Sequence, residues 1–198
     1  MKDKLEIISL PHPALRRPSR KIGLINEEVR SLIEKMTDQA IMWESDRPNE
    51  TTVGLAAVQI NQLLKVVIIR ENFDSDKEPV FQTLINPKIT KYGGAKTIKL
   101  EGCLSVPDFY ANVERYEEVR VSALDERGNP IKFKASGFLA RIIQHEVDHL
   151  KGIMTVDRAV EAINDQGEKF SFCRLAESGK FEVADEAEVA ASRILRND

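Results

Sequence analysis

Two of the chain's three histidines, His145 and His149, stand four residues apart with a glutamate between them, in the run Gln144-His145-Glu146-Val147-Asp148-His149-Leu150. On an α-helix these histidines share a face one turn apart. Both imidazoles can then reach a single cation while Glu146, a step round the helix, reaches a water bound to it. The pattern points to a metal-dependent hydrolase, although the same spacing also occurs on surface helices with two solvated histidines. Catalytic sites of this kind hold the metal through three protein ligands and leave one position for water. No histidine follows His149, and the acids beyond it sit in a charged tail, so the third donor has to be sought upstream.

The element that must position these groups is a helix over about 138–150, opened near Ser136 or Gly137 and ended by Gly152. Phe138, Leu139, Ile142, Ile143, Val147 and Leu150 cover most of its circumference, leaving a narrow polar stripe of Arg141, Gln144, Asp148 and Lys151. A helix so widely apolar is buried and carries His145, Glu146 and His149 inward. Buried polar groups need partners, and a metal would satisfy all three.

Upstream, Asn26 caps a helix over about 26–43, with Glu27 and Glu28 in its first turn and Val29, Leu32, Ile33, Met36 and Ala40 as its apolar stripe. Glu44 to Glu50 is polar, contains Pro48 and reads as a loop. Strands are expected at Leu64 to Ile69, Phe81 to Ile85, Ala95 to Leu100, Glu118 to Leu124 and Ile131 to Lys134, with Asp125 to Asn129 turning between the last two. Phe170, Phe172 and Leu175 suggest one more strand, and Glu186 to Leu195 an exposed helix. Strands precede the second helix rather than alternating with helices, which gives an α+β fold.

At 198 residues and 42% hydrophobic content the chain suits one domain, residues 1–198, with a core of its own. Lys+Arg number 29 against 32 Asp+Glu, a balance that argues against bulk attraction to nucleic acid or acidic lipid. Met1-Lys2-Asp3-Lys4 is not a secretory signal, and no apolar run nears the roughly 20 residues that span a bilayer. A cytoplasmic protein without membrane partners is expected. Its two cysteines, Cys103 and Cys173, are then thiols. Cys173 reads as a small buried hydrophobe, and His12, in Leu10-Pro11-His12-Pro13, as a surface or locally hydrogen-bonded histidine.

Three segments carry a family resemblance: Val53-Gly54-Leu55-Ala56-Ala57-Val58-Gln59, Glu101-Gly102-Cys103-Leu104-Ser105 and the histidine run itself. In this order they resemble the peptide deformylases, whose motifs are Gly-x-Gly-x-Ala-Ala-x-Gln, Glu-Gly-Cys-Leu-Ser and Gln-His-Glu-x-Asp-His-Leu. The similarity runs from about Leu10 to Arg158, and the segment from about Asn164 onward reads as a divergent C-terminal extension. The fold implied is a single domain of antiparallel β-sheets packed around a central buried metal-binding helix.

The resemblance implies that Cys103, His145 and His149 bind one divalent metal, with Fe(II) favoured and Zn(II), Ni(II) or Co(II) suited to the same donors. The reaction implied is hydrolysis of the N-formyl group from the N-terminal methionine of nascent polypeptides. Glu146 would take a proton from water and pass it to the departing amine. The backbone N–H of Leu104 and the amide of Gln59 would donate to the formyl oxygen as charge develops on it. Val53, Gly54 and Gly102 match the segments that pair with an extended peptide, and Phe138 and Ile142 would line a pocket for the methionine side chain. The partners implied are N-formylmethionyl peptides and, through the C-terminal tail, the ribosome near its exit tunnel.

The chain departs from the family pattern at Thr52 and Asp108, where glycine is common. A β-branched residue at 52 would be costly were positive φ required. Three other readings follow from the same residues. One is a divergent homologue with shifted substrate or weak activity. Another is a His-Glu-x-x-His metallopeptidase, and the last a non-enzymatic module whose metal is closed off by a fourth ligand such as Cys173 or His12.

Overall fold

The computed structural model describes residues 6–47, 49–72, 78–176, 178–192 and 194–195. The Met1-Lys2-Asp3-Lys4 start and Pro48 lie outside them. Helix α1 (Glu27–Ser45) is capped by Asn26, whose side chain accepts the Val29 N–H, and Val29, Leu32, Ile33, Met36 and Ala40 are all buried. It runs two residues into the segment expected to be loop.

β1 (Gly54–Ala56) and β2 (Val66–Arg70) are short and wholly buried, and the β-branched run of β2 suits a strand packed on both faces. β3 (Phe81–Cys103) joins the two segments expected as separate strands into one of 23 residues. Register shifts at four places along its ladder with β4 (Val106–Leu124) bend this long pair, which is how so long a strand stays on one core. β5 (Pro130–Ser136) follows the Asp125–Asn129 turn, where Gly128 takes φ +86°. α2 (Gly137–His149) comes next. Then β6 (Ala162–Ile163) and β7 (Lys169–Phe170) pair with each other, and β8 (Phe172–Leu175) pairs with β9 (Phe181–Val183) ahead of α3 (Glu186–Ala191).

The main sheet is antiparallel in the order β1-β2-β3-β4-β8-β9. β5 and β8 share the other edge of β4, at residues 118–124 and 109–111 respectively. α2 packs its Ala140, Ile142, Ile143, Val147 and Leu150 against Ala56, Val67, Leu84, Val119, Val121 and Ala135 of the sheet. α1 covers a second apolar layer built on Leu55, Ile60, Val66 and Ile85. The expected α+β architecture, with antiparallel strands around a buried helix, is what forms.

Two readings of the tail are corrected. The expected strand through Phe170, Phe172 and Leu175 is two short strands in different sheets. The expected exposed helix is shorter, and Val189 and Ile194 are buried with Leu15, Val106, Met154 and Val156, because this end of the molecule has an apolar face of its own to cover.

Candidate metal centre

α2 enters the molecule from Ser136 and Gly137 and brings His145 and His149 up beneath the β3–β4 turn, where Cys103 is the last residue of β3. The Nε2 atoms of the two histidines lie 3.0 Å apart and Cys103 Sγ lies 3.4 Å from His149 Nε2. All three donor atoms fall within 4.8 Å of one another. A tetrahedral ion with bonds of about 2.1 Å to nitrogen and 2.3 Å to sulfur would space its ligands by roughly 3.3–3.6 Å, so small adjustments would seat one. Among the described residues no fourth histidine, cysteine or acid joins the group. His12 instead caps a helical turn, its Nδ1 accepting the Ala14 N–H, and Cys173 is buried on β8.

The surroundings suit a cation. Glu101 Oε2 lies 3.1 Å from His145 Nδ1, which fixes that nitrogen as a donor to the carboxylate and leaves Nε2 as the ring nitrogen facing Cys103 and His149. Burial opposes charge on His145, yet its contacts with Cys103 and Glu101 outweigh this and raise its pKa well above the usual value. Burial, and then the positive charge on its neighbour, drive His149 the other way, so it stays neutral. One positive charge is therefore favoured between the two rings and the sulfur, and a bound cation would supply it.

Glu101 is itself fixed by a buried ionic network that sequence reasoning missed. Arg115 grips it with two bonds of 3.0 Å and also reaches Asp148, while Arg141 donates to it at 2.8 Å and to the Val113 carbonyl at 2.9 Å. Burial would raise the Glu101 pKa, but His145 and Arg115 hold it down at about 2. Arg141, Gln144 and Asp148 had read as a polar stripe; all three are buried, and only Lys151 is exposed. Gln144 pairs with both backbone groups of Tyr116. The signal was available: a polar stripe on a helix otherwise apolar all round has to find partners inside.

Glu146 is almost fully buried, and its Oε2 has no partner among the described residues. Burial raises its pKa to about 7. A carboxylate so placed is poised to accept a proton near neutrality. Gly54 is what lets it stand there, since a Cβ at that position would come within 2.6 Å of Glu146 Oε1. Gln59 is locked by its own side chain: Oε1 accepts the Ala56 N–H at 2.8 Å, so Nε2 must face the other way, toward Ser105 Oγ at 3.3 Å and Cys103 Sγ at 3.8 Å. Leu104 and Ser105 make the two-residue turn between β3 and β4.

These groups surround one cleft of about 390 Å³, lined by Val53, Gly54, Gln59, Gly102, Cys103, Leu104, Phe138, Ile142, His145 and Glu146 among others. Every sequence-derived site residue but the deeper His149 therefore lines it. Ile142 is buried in its wall and Phe138 stands half-exposed at the rim. Trp43 and Glu50 also line it and were not anticipated, and Tyr110, near Asp108 in sequence, lines it as well. Thr52 is not strained: its hydroxyl donates to the Ala40 carbonyl and its N–H to Glu44, and its φ is not positive. Asp108 is the departure that does take left-handed backbone, at φ +69°.

Comparison with known proteins converges on one family. The profile described as polypeptide deformylase matches residues 4–165. A peptide deformylase of Aquifex aeolicus is 42% identical over 153 residues, 77% of this chain and 86% of that protein. One of Rhodopirellula baltica is 38% identical over 193 residues, 96% of this chain and 92% of its own. The crystal structure of a Synechococcus elongatus peptide deformylase in complex with actinonin superposes with a TM-score of 0.69 at 38% identity, covering 80% of this chain and 82% of that one.

Proposed function

The chain belongs to the polypeptide deformylase family, and from that membership we propose how its own residues divide the work of the reaction. It is a metal-dependent hydrolase that removes the N-formyl group from nascent polypeptides. The observation that carries the residue assignment is the convergence of the Cys103, His145 and His149 donor atoms at the base of the cleft, with His149 just below its lining and the buried carboxylate of Glu146 in its wall.

Cys103, His145 and His149 would hold the metal, which when bound would supply acidified water and polarisation of the formyl carbonyl. Glu146 takes the water proton and delivers it to the departing amine, a role its raised pKa favours. Gln59 Nε2 and the Leu104 N–H donate to the formyl oxygen as negative charge grows there. Val53, Gly54 and Gly102 offer backbone to an extended peptide, and Phe138 and Ile142 form the apolar wall against the methionine side chain. Glu101 holds His145 by its Nδ1, so that Nε2 is the ring nitrogen presented to the metal site.

Fe(II) is the ion the family resemblance favours, and one thiolate and two imidazoles also suit Zn(II), Ni(II) or Co(II). The setting is the cytoplasm, where thiols stay reduced and nascent chains emerge from the ribosome. The structure has no helix long and apolar enough to cross a membrane among the described residues. The whole chain, residues 1–198, acts as one catalytic domain with its extension from about 164. A metallopeptidase is disfavoured by the cysteine donor, and a closed binding module by the lack of a fourth donor among the described residues. The deciding experiment is an anaerobic formate-release assay on a formyl-Met peptide with Fe(II)-loaded protein. Release by the intact protein, and its loss in Glu146→Ala at unchanged metal content, is expected. No release from fully loaded protein would overturn the reading.

A further inference from the structure

The Tyr110 side chain reaches across the cleft from one wall to the other. On β4 it stands opposite Gly102 in the ladder with β3, and a Cβ at Gly102 would lie 2.6 Å from Tyr110 Cε1. The ring therefore fills the space that a side chain at 102 would occupy. Its hydroxyl donates to Glu50 Oε2 at 2.7 Å, on the segment that leads into Val53 and Gly54. Glu50 and Tyr110 both line the cleft that holds Cys103, His145 and Glu146. Arg47 backs this bond, reaching Glu50 at 3.1 Å and Asp108 at 3.5 Å while lying over the Trp43 ring.

The other side of the ring is held by the C-terminal extension. Phe181 of β9 meets Tyr110 edge-on, with centroids 4.7 Å apart and planes at 73°. Cys173 of β8 pairs with Tyr110 in the sheet and with Val183 of β9, so the hairpin that carries Phe181 is registered directly on this residue. Burial and the Glu50 carboxylate both raise the tyrosine pKa, so the hydroxyl keeps its proton for this bond.

We infer that the Tyr110–Glu50 hydrogen bond is a strap across the cleft that sets how readily longer formylated peptides are accepted, with Phe181 as its positioning residue. The inference rests on the deformylase reading of the same site. A peptide that ends soon after its formyl-methionine fits without touching the strap. A longer one, running between the Val53–Gly54 and Gly102 backbones, has to part the hydroxyl from the carboxylate. A hydrogen bond to a charged acceptor is among the stronger ones, so its loss appears as weaker binding of long substrates.

The test compares kcat and KM for formyl-Met amide and for a formyl-Met tetrapeptide amide in metal-loaded intact protein. In Tyr110→Phe and in Glu50→Ala the long-to-short ratio of kcat/KM should rise by roughly threefold to tenfold, through KM. The double variant should rise no further than either single one, because both remove one bond. Glu50→Gln, which keeps an acceptor, should move the ratio less, and Phe181→Ala should move it in the same direction as Tyr110→Phe. Thermal midpoint and metal content establish that each variant is folded and loaded. An unchanged ratio, a fall in the ratio, or additive effects would overturn the strap. A fall would mean that Tyr110 grips the substrate instead. If the unaltered protein releases formate from neither peptide, the deformylase reading itself fails, whereas activity on both with an immobile ratio removes the strap alone.

Discussion

A methyl group placed on Gly54 lands on the proposed proton carrier. In Gly54→Ala the new Cβ would stand 2.6 Å from Glu146 Oε1, 3.0 Å from Cδ and 3.1 Å from Cγ. Carbon atoms in contact settle at about 3.5–4.0 Å, so one partner must retreat by roughly 0.5–1 Å. Position 54 does not have positive φ, so alanine adds no backbone strain there. The strand is also held by its pairing with Ile69. The carboxylate is the softer partner, because its Oε2 is tied to no group among the described residues. A displacement near 1 Å of a reacting group costs on the order of 10²-fold in rate, about 2.7 kcal/mol in the barrier. Steady-state deformylation of a formyl-Met peptide should accordingly show kcat reduced by roughly 30- to 100-fold. Metal content should not change, since Glu146 is not a ligand. A kcat within about twofold of the unaltered enzyme, at full metal content, would show that the carboxylate can move without consequence. The role given to Glu146 would then be refuted.

Gln59→Ala should lower kcat by about 10²-fold with the metal retained. The Ala56 N–H loses its acceptor at the same time, so stability should fall by about 1–3 kcal/mol; normal kcat would remove the oxyanion role. Gly152→Ala tests packing behind the site: position 152 has φ +73°, and a Cβ there would lie 2.5 Å from the Arg16 carbonyl oxygen and 3.0 Å from the Arg17 nitrogen. Backbone cannot yield as a side chain can, so a loss of about 3 kcal/mol is expected, seen as a Tm lower by roughly 6–12 °C. Glu101 supplies a pH prediction. Its carboxyl lies at about 2 in the folded protein against an ordinary 4.5, so its stabilisation is present above about pH 4.5 and is lost as pH falls toward 2. The Tm difference between chelator-treated Glu101→Gln and unaltered protein should shrink over that window, and a difference flat with pH would contradict the assignment.

The sequence carried the ligand helix because its signals were local. Spacing put His145 and His149 on one face, Gly152 ended the helix, and the apolar residues around them announced burial. The long strand was not legible in the same way. Lys88, Thr90, Lys91 and Tyr92, with the Gly93–Gly94 pair, break the apolar alternation between Phe81–Ile85 and Ala95–Leu100, yet the chain stays extended because β4 supplies a partner across that interval. Pairing is a property of two distant segments, and hydrophobic periodicity within one does not report it. Thr52 misled for a related reason. Glycine at that point of the family pattern suggested a need for positive φ, but here the hydroxyl bonds to Ala40 on α1 and the backbone stays in ordinary territory.

The site also explains why its supporting residues looked unremarkable in sequence. Arg115 lies on β4, Arg141 and Asp148 on α2 and Glu101 near the end of β3, and nothing in their spacing marks them as one cluster. Together they let a carboxylate sit almost fully buried beside His145 without neutralising itself, because Arg115 and Arg141 donate to both of its oxygens. Removing one member of such a network is more damaging than its single bond suggests, since the partners left behind are buried charges. The arrangement of the three candidate donors thus depends on groups outside that set. The arginines fix Glu101, Glu101 holds His145 by Nδ1, and the imidazole then turns Nε2 toward Cys103 and His149, where a cation would bind.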